Sequence, residues 1–191
     1  MNEATGLYSL RRANRSVRIG ALLFLLVLGY AYVFAFLMVR EFAGLTPEAV
    51  SATYAPDRSL DEEGLPDRSV SVTQPLDLSA LEEERHTVDT RLLIQDSHIH
   101  ILMFAVVAAL LTLIVLGLEW RPGWRDTVIV AAFAAGALDF SGQWLMKAGL
   151  GGFAWLTILS GWTMAAVYLV VLAGTVRATL GRDRMQSKEE K

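Results

Sequence analysis

Cysteine is absent from this 191-residue chain, so neither a disulfide nor a thiolate-held metal can stabilise it. Also missing are a phosphate-cradling G-x-x-x-x-G-K-(S/T) loop, a helical H-E-x-x-H, a dinucleotide glycine pattern and a nucleophile beside an evident base, which removes the usual support for a hydrolase or dehydrogenase. Proline is scarce: four of the five lie between Pro47 and Pro75, and the last is Pro122. Charge is scarcest of all in four apolar runs, Ile19 to Val39, Ile101 to Leu118, Thr127 to Met146 and Phe153 to Val176. Each run is about 18 to 24 residues, the length an α-helix rising 1.5 Å per residue needs to cross a hydrocarbon layer of roughly 30 Å. The expected fold is an all-α membrane protein with four transmembrane helices in an antiparallel bundle.

The charges outside the runs set an orientation. Eleven of the seventeen basic residues lie before the first run (Arg11, Arg12, Arg15, Arg18), between the second and third (Arg121, Arg125) or after the fourth (Arg177, Arg182, Arg184, Lys188, Lys191). Basic residues near span ends stay in the cytoplasm, so both termini read as cytoplasmic in a bacterial inner membrane. The expected organisation is a cytoplasmic segment 1–18, spans at 19–39, 97–118, 127–146 and 153–176, an outer periplasmic loop at 40–96, and a cytoplasmic tail at 177–191. Arg11 and Arg12 before an apolar run could mark an export signal. The run is too long for one, however, and Phe36 to Ala43 offers no small-x-small cleavage site, so it reads as a retained anchor.

The outer loop, about 55 residues long, carries 12 carboxylates between Glu41 and Asp89, which argues against nucleic acid or an anionic surface as its partner, because phosphate would be repelled. Thr46 before Pro47 and Glu48 predicts a short helix over Pro47 to Thr53. Pro56, Gly64, Pro66 and Pro75 break regular structure after it, with a weak strand-like alternation at Ser69 to Thr73. The Ser79/Glu82 capping-box spacing and the face formed by Leu78, Leu81, Val88 and Leu92 predict an amphipathic helix near 79–93. Small residues spaced by four, Ala105/Ala109, Ala131/Ala135 and Gly161/Ala165, are candidate helix contacts. Trp120, Trp124, Trp144 and Trp155 fall near membrane boundaries, where an amphipathic ring is comfortable.

Asp139 is the one clearly ionisable residue deep in a run, an expensive placement of roughly 2.5 to 3.5 kcal/mol at mid-helix. It shares a helical face with Ala135 and Gln143, whereas Ser141 points elsewhere. Counting from the outer ends, Asp139 and Ser160 lie about 10 Å deep, Thr157 one turn above Ser160, and Tyr30 and Tyr32 about 10 to 14 Å deep. His98 and His100 stand at the entrance of the second span. Two positions apart on a helix, they point in opposed directions and cannot ligate one ion together. His100 is the inward candidate, with Asp139 accepting its N–H. The candidate polar site is therefore His98, His100, Asp139, Gln143, Ser160, Tyr30 and Tyr32, with His98 and His100 as the possible metal ligands. The alternative is that these groups only hold helices together. His86, in a Glu-Glu-Glu-Arg-His stretch, reads as a solvated residue.

Gln95-Asp-Ser-His-Ile-His-Ile-Leu-Met, Ala137-Leu-Asp-Phe-Ser-Gly-Gln-Trp-Leu, Gly152-Phe-Ala-Trp-Leu and Leu45-Thr-Pro-Glu-Ala-Val together resemble a family of small bacterial four-span membrane proteins with T-H-x-H-L, L-D-x-x-S-x-W-L and F-A-W-L signatures. The resemblance covers most of the chain and implies no established activity. His98-Ile-His100 alone is similar to the haem-ligating H-x-H of haem-copper oxidases, which implies haem b as a possible cofactor, with Met103, Met146 or His86 as further axial ligands. The four-span family continues its histidine pattern as T-H-x-H-L-x-G, and that glycine is replaced here by Phe104 or its neighbours. The expected role is non-enzymatic: an accessory or assembly component of a membrane complex, in contact with the lipid bilayer and with other subunits through the acidic loop. A small haem- or metal-binding redox module, and proton or solute conduction through Asp139, are the other readings.

Overall fold

The computed structural model describes residues 8–56 and 87–189, with side chains as far as residue 180. Helix α1 spans Arg15–Met38 and is started by Asn14, whose side chain accepts the Val17 N–H at 2.9 Å. A π-helical turn, Val39–Ala43, unwinds its end, and Gly44 at φ 75° stops it by donating to the Val39 carbonyl at 2.8 Å. Helix α2, Pro47–Thr53, starts where the sequence signals it, with the Thr46 hydroxyl accepting from Ala49 and Pro47 in the first turn.

Helix α3 runs Thr90–Gly117, α4 Pro122–Lys147 and α5 Ala154–Glu189, the last preceded by a 3₁₀ turn at Gly151–Phe153. Among the described residues there is no strand. All four long helices, α1, α3, α4 and α5, are apolar and long enough to cross a membrane, and the chain is a multi-pass membrane protein.

The helices run past the expected spans, furthest at the start of α3 and at the end of α5. Helix α3 begins at Thr90, capped by Asp89, well before residue 97. Thr87 to Asp89 are non-helical, so no continuous helix runs through 79–93; residues 79–86 lie outside the described residues, as do the expected strand at 69–73 and His86. Helix α5 continues past Val176 and, at 1.5 Å per residue, reaches about 54 Å. Hydropathy marks where a helix meets lipid, and a helix need not stop at that boundary.

The end of α4 shows how a local signal fixes a sharp turn. Gly149 N–H donates to Met146 at 2.9 Å and Leu150 N–H to Leu145 at 3.0 Å, with Gly149 at φ 92°, a Schellman arrangement that only glycine enters without strain. Gly149→Ala is expected to cost about 1 kcal/mol, read as a lower melting temperature of the detergent-purified protein.

The four helices meet in one apolar core at the end of the bundle that carries the termini, called here the terminal face. Leu25 of α1, Ala108, Leu111, Ile114 and Val115 of α3, Val128 and Ala132 of α4, and Val167 and Val171 of α5 are buried there, together with Leu10 and Leu118. At the opposite end, the loop face, α1 leaves its neighbours: Val33 to Phe42 are all exposed. A smaller core of Val50, Met146 and Ala154, with Tyr54 and Ile158, fastens α2 over α4 and α5. Helix α4 is the most enclosed and α1 the least. Exposed Leu26, Val27, Phe34 and Leu102 are the surface that lipid covers.

Backbones approach at positions other than those the small-residue spacing marks. Ala105 and Ala109 are exposed, Ala131 and Ala165 half-buried, and a Cβ on Gly161 would meet open space; only Ala135 is buried. The close contacts lie at Gly136 against Phe104, Gly142 against Thr157, and Gly29 against Tyr168.

Candidate functional site

Asp139 is half-buried on α4, and the Gln143 side-chain amide one turn on donates to its carboxylate at 3.2 Å. Gln143 is buried, and its own carbonyl oxygen has no hydrogen-bond partner among the described residues. From α5, the Thr157 hydroxyl donates to the Asp139 main-chain carbonyl at 3.3 Å. That link exists because Gly142 lets the two helices close: a Cβ there would stand 2.5 Å from the Thr157 oxygen. Helices α4 and α3 are also tied by the Trp144 indole N–H, which donates to the Ser97 hydroxyl at 3.0 Å.

His100 does not pair with Asp139, contrary to the sequence expectation. Its Nδ1 lies 2.8 Å from the Asp96 carboxylate and 3.0 Å from the Asp96 carbonyl, and both groups accept, so Nδ1 carries the proton and Nε2 is the open nitrogen. Asp96 sits one helical turn before His100 and so reaches it without crossing to α4. The His100 ring approaches Phe140 of α4, with centroids 6.4 Å apart. His98 is exposed, as the 200° rotation between the two positions requires.

The remaining expected members are dispersed. Tyr30 is 68% exposed and packs edge-on against Phe34, 4.9 Å between ring centroids, on the open side of α1. Tyr32 turns the other way, onto Tyr168 of α5 at 5.2 Å, and Tyr168 donates to the Leu25 carbonyl at 3.1 Å. Ser160 is buried, but the α5 hydroxyl that reaches Asp139 is Thr157's. Ser141 donates back to Ala137 on the exposed side of α4. Met103, three residues after His100 on α3, is exposed, and Met146 sits in the small core. Among the described residues no three His, Asp or Glu side chains gather as metal ligands.

Two participants escaped the sequence reading. Tyr54, directly after α2, packs beside the acidic groups: burial first, then the negative charges of Asp139 and Asp96, push its phenol up to about 12. It therefore stays a neutral donor across the physiological range. Lys147, the last residue of α4, is 8% exposed, and its ammonium donates to the Ala55 carbonyl at 2.9 Å and to the Val88 carbonyl. Val88 N–H also donates to Thr53 at 2.8 Å. The two ends of the segment 57–86 thus meet at one buried cation. A lysine just after an apolar run is the only sequence signal for this, and a solvated linker charge looks the same.

No curated protein and no solved structure matches the chain. A family model described as a transmembrane helical domain, Aq_1264_TM, matches residues 44–186, well over half the length. The match begins at Gly44, where the α1 segment ends, and takes in α2, α3, α4 and nearly all of α5, including Asp139, Tyr54 and Lys147. The chain therefore belongs to this family of transmembrane helical domains, as the expected kinship with small membrane proteins required.

Proposed function

We propose that the chain is a non-enzymatic accessory or assembly component of a membrane complex, seated in a bacterial inner membrane with both termini in the cytoplasm and the loop between α2 and α3 outside. The asymmetric distribution of basic residues supports the orientation. The observation that carries the role is the Lys147 clasp, which joins Ala55 to Val88 and so presents residues 57–86 from a fixed base. That segment holds nine carboxylates against three arginines, a charge imbalance that attracts a basic partner surface. Three side chains in the spans also fasten one helix to the next: Trp144 to Ser97, Tyr168 to Leu25, and Thr157 to Asp139. This pattern of side chains tying helices together supports a scaffold more than a reaction centre.

The test is gentle solubilisation followed by native electrophoresis and mass measurement. The chain is expected to migrate with a second membrane subunit at fixed stoichiometry, and neutralising Asp61, Glu62, Glu63, Glu82, Glu83 and Glu84 to their amides should release it. Migration alone in every mild detergent would overturn the accessory reading, and a haem spectrum that disappears in His100→Ala would put the redox one in its place.

A further inference from the structure

The segment ahead of α1 folds back across the terminal face. Leu10 is fully buried, and its N–H donates to the Gly117 carbonyl at 2.7 Å; the Tyr8 hydroxyl donates to Leu113 at 2.8 Å; the Ser9 hydroxyl donates to Glu119 at 2.7 Å. These bonds place Arg11 on the wall of a cavity of about 260 Å³, completed by Glu119 and Trp120 from the α3–α4 link and by Gly174 and Arg177 from α5. Three separate stretches of chain build it. The Trp120 ring stands close over Gly174, where an added Cβ would lie 2.5 Å from a ring carbon, so the glycine is what admits the indole.

Among the described residues, neither Arg11 nor Arg177 has a carboxylate within 4.0 Å. One oxygen of Glu119 is already held by Ser9. The walls therefore carry two guanidiniums and one carboxylate, a formal excess of one positive charge. That excess matches a phosphodiester, which carries one negative charge, and a guanidinium fork fits phosphate oxygens in pairs. The cavity lies where α3 ends at Gly117 and beside the last turns of α5, where the apolar runs give way to charged residues, the boundary at which a spanning helix meets head groups. Its volume falls below the roughly 300 to 1,000 Å³ of sites for drug-sized ligands, which favours a head group over a large cofactor.

We propose that this cavity binds the phosphodiester head group of an anionic phospholipid, with Arg11 and Arg177 holding the phosphate oxygens and Trp120 covering the glycerol side. Basic pockets between spans take anionic head groups by this combination of charge and position at the boundary. The site is independent of the acidic loop and does not rest on the accessory role.

The experiment is native mass spectrometry of the full chain in detergent, supplied separately with phosphatidylglycerol, phosphatidylcholine and inorganic phosphate. One phosphatidylglycerol is expected to remain bound, preferred over phosphatidylcholine by roughly tenfold or more, because both carry the phosphodiester but the choline cation of the second cancels its charge and is repelled by the two guanidiniums. Arg11→Gln with Arg177→Gln should abolish the preference, Arg177→Lys should reduce it through loss of the planar fork, and Arg91→Gln at the loop face should retain it. Unchanged helix content and melting of the lipid-free variants separates lost binding from lost folding. Equal retention of both lipids, undiminished retention by the double variant, or saturation by millimolar phosphate with no lipid held overturns the proposal.

Discussion

Replacing Lys147 by methionine is expected to destabilise the protein by about 3 kcal/mol, since hydrogen bonds to a charged group contribute roughly 1.5 to 3 kcal/mol each and the carbonyls of Ala55 and Val88 are left without this donor. Methionine keeps the length and apolar stem of lysine, so the loss reports the ammonium and not a cavity. Lys147 also stands at the C-terminal end of α4, where a cation meets the negative pole of the helix, and that contribution disappears with it. The effect should appear in two readouts: a lower melting temperature in detergent, and faster trypsin cleavage at Arg58, Arg68 and Arg85, because the two ends of the segment are no longer held to α4. Lys147→Arg preserves the charge, yet its flat, bulkier head suits two converging carbonyls less well than a compact ammonium, so an intermediate loss is expected. A variant as stable and as resistant as the wild type would show that the clasp contributes nothing.

The same residue shows what the sequence can and cannot disclose. The four spans were legible because bilayer crossing imposes a length and an apolar composition that few other structures share, and α2 was legible because Thr46 and Pro47 have local reasons to start a helix. Asp139 with Gln143 was legible from their spacing of four. What failed is rotation and long-range pairing. Helix α1 is apolar almost all round, so nothing in its sequence tells which of Tyr30 and Tyr32 faces α5; the structure chooses Tyr32. The sequence offers His100 both the distant Asp139 and Asp96 one turn away, and in the structure the nearer carboxylate takes it. Tyr54 and Lys147 read as loop residues because their partners are separated from them by dozens of positions, and proximity of that kind has no local signature.

Gly142 and Gly161 provide the most direct test of how α4 and α5 are joined, since the sequence singles out one and the structure the other. A Cβ on Gly142 would lie 2.5 Å from the Thr157 hydroxyl oxygen, 3.2 Å from the Thr157 nitrogen and 3.3 Å from the Phe153 carbonyl oxygen. The hydroxyl can rotate away, giving up its bond to the Asp139 carbonyl, but the two backbone contacts can be relieved only if the helices separate. Gly142→Ala is therefore expected to cost about 2 kcal/mol, and Gly142→Leu about 3 kcal/mol or more, the range for overpacking a well-filled contact. On Gly161 a Cβ meets nothing within 4 Å, and Gly161→Ala should be neutral or stabilise by up to about 1 kcal/mol through its better helix propensity. Thermal melts of the three variants in one detergent decide the matter. Adding Thr157→Ala to Gly142→Ala removes the nearest clash and should recover part of the loss but not all, because the main-chain contacts persist. If Gly142→Ala melts with the wild type while Gly161→Ala falls, the α4–α5 contact runs along the other face of α5, and the route by which Thr157 reaches Asp139 goes with it.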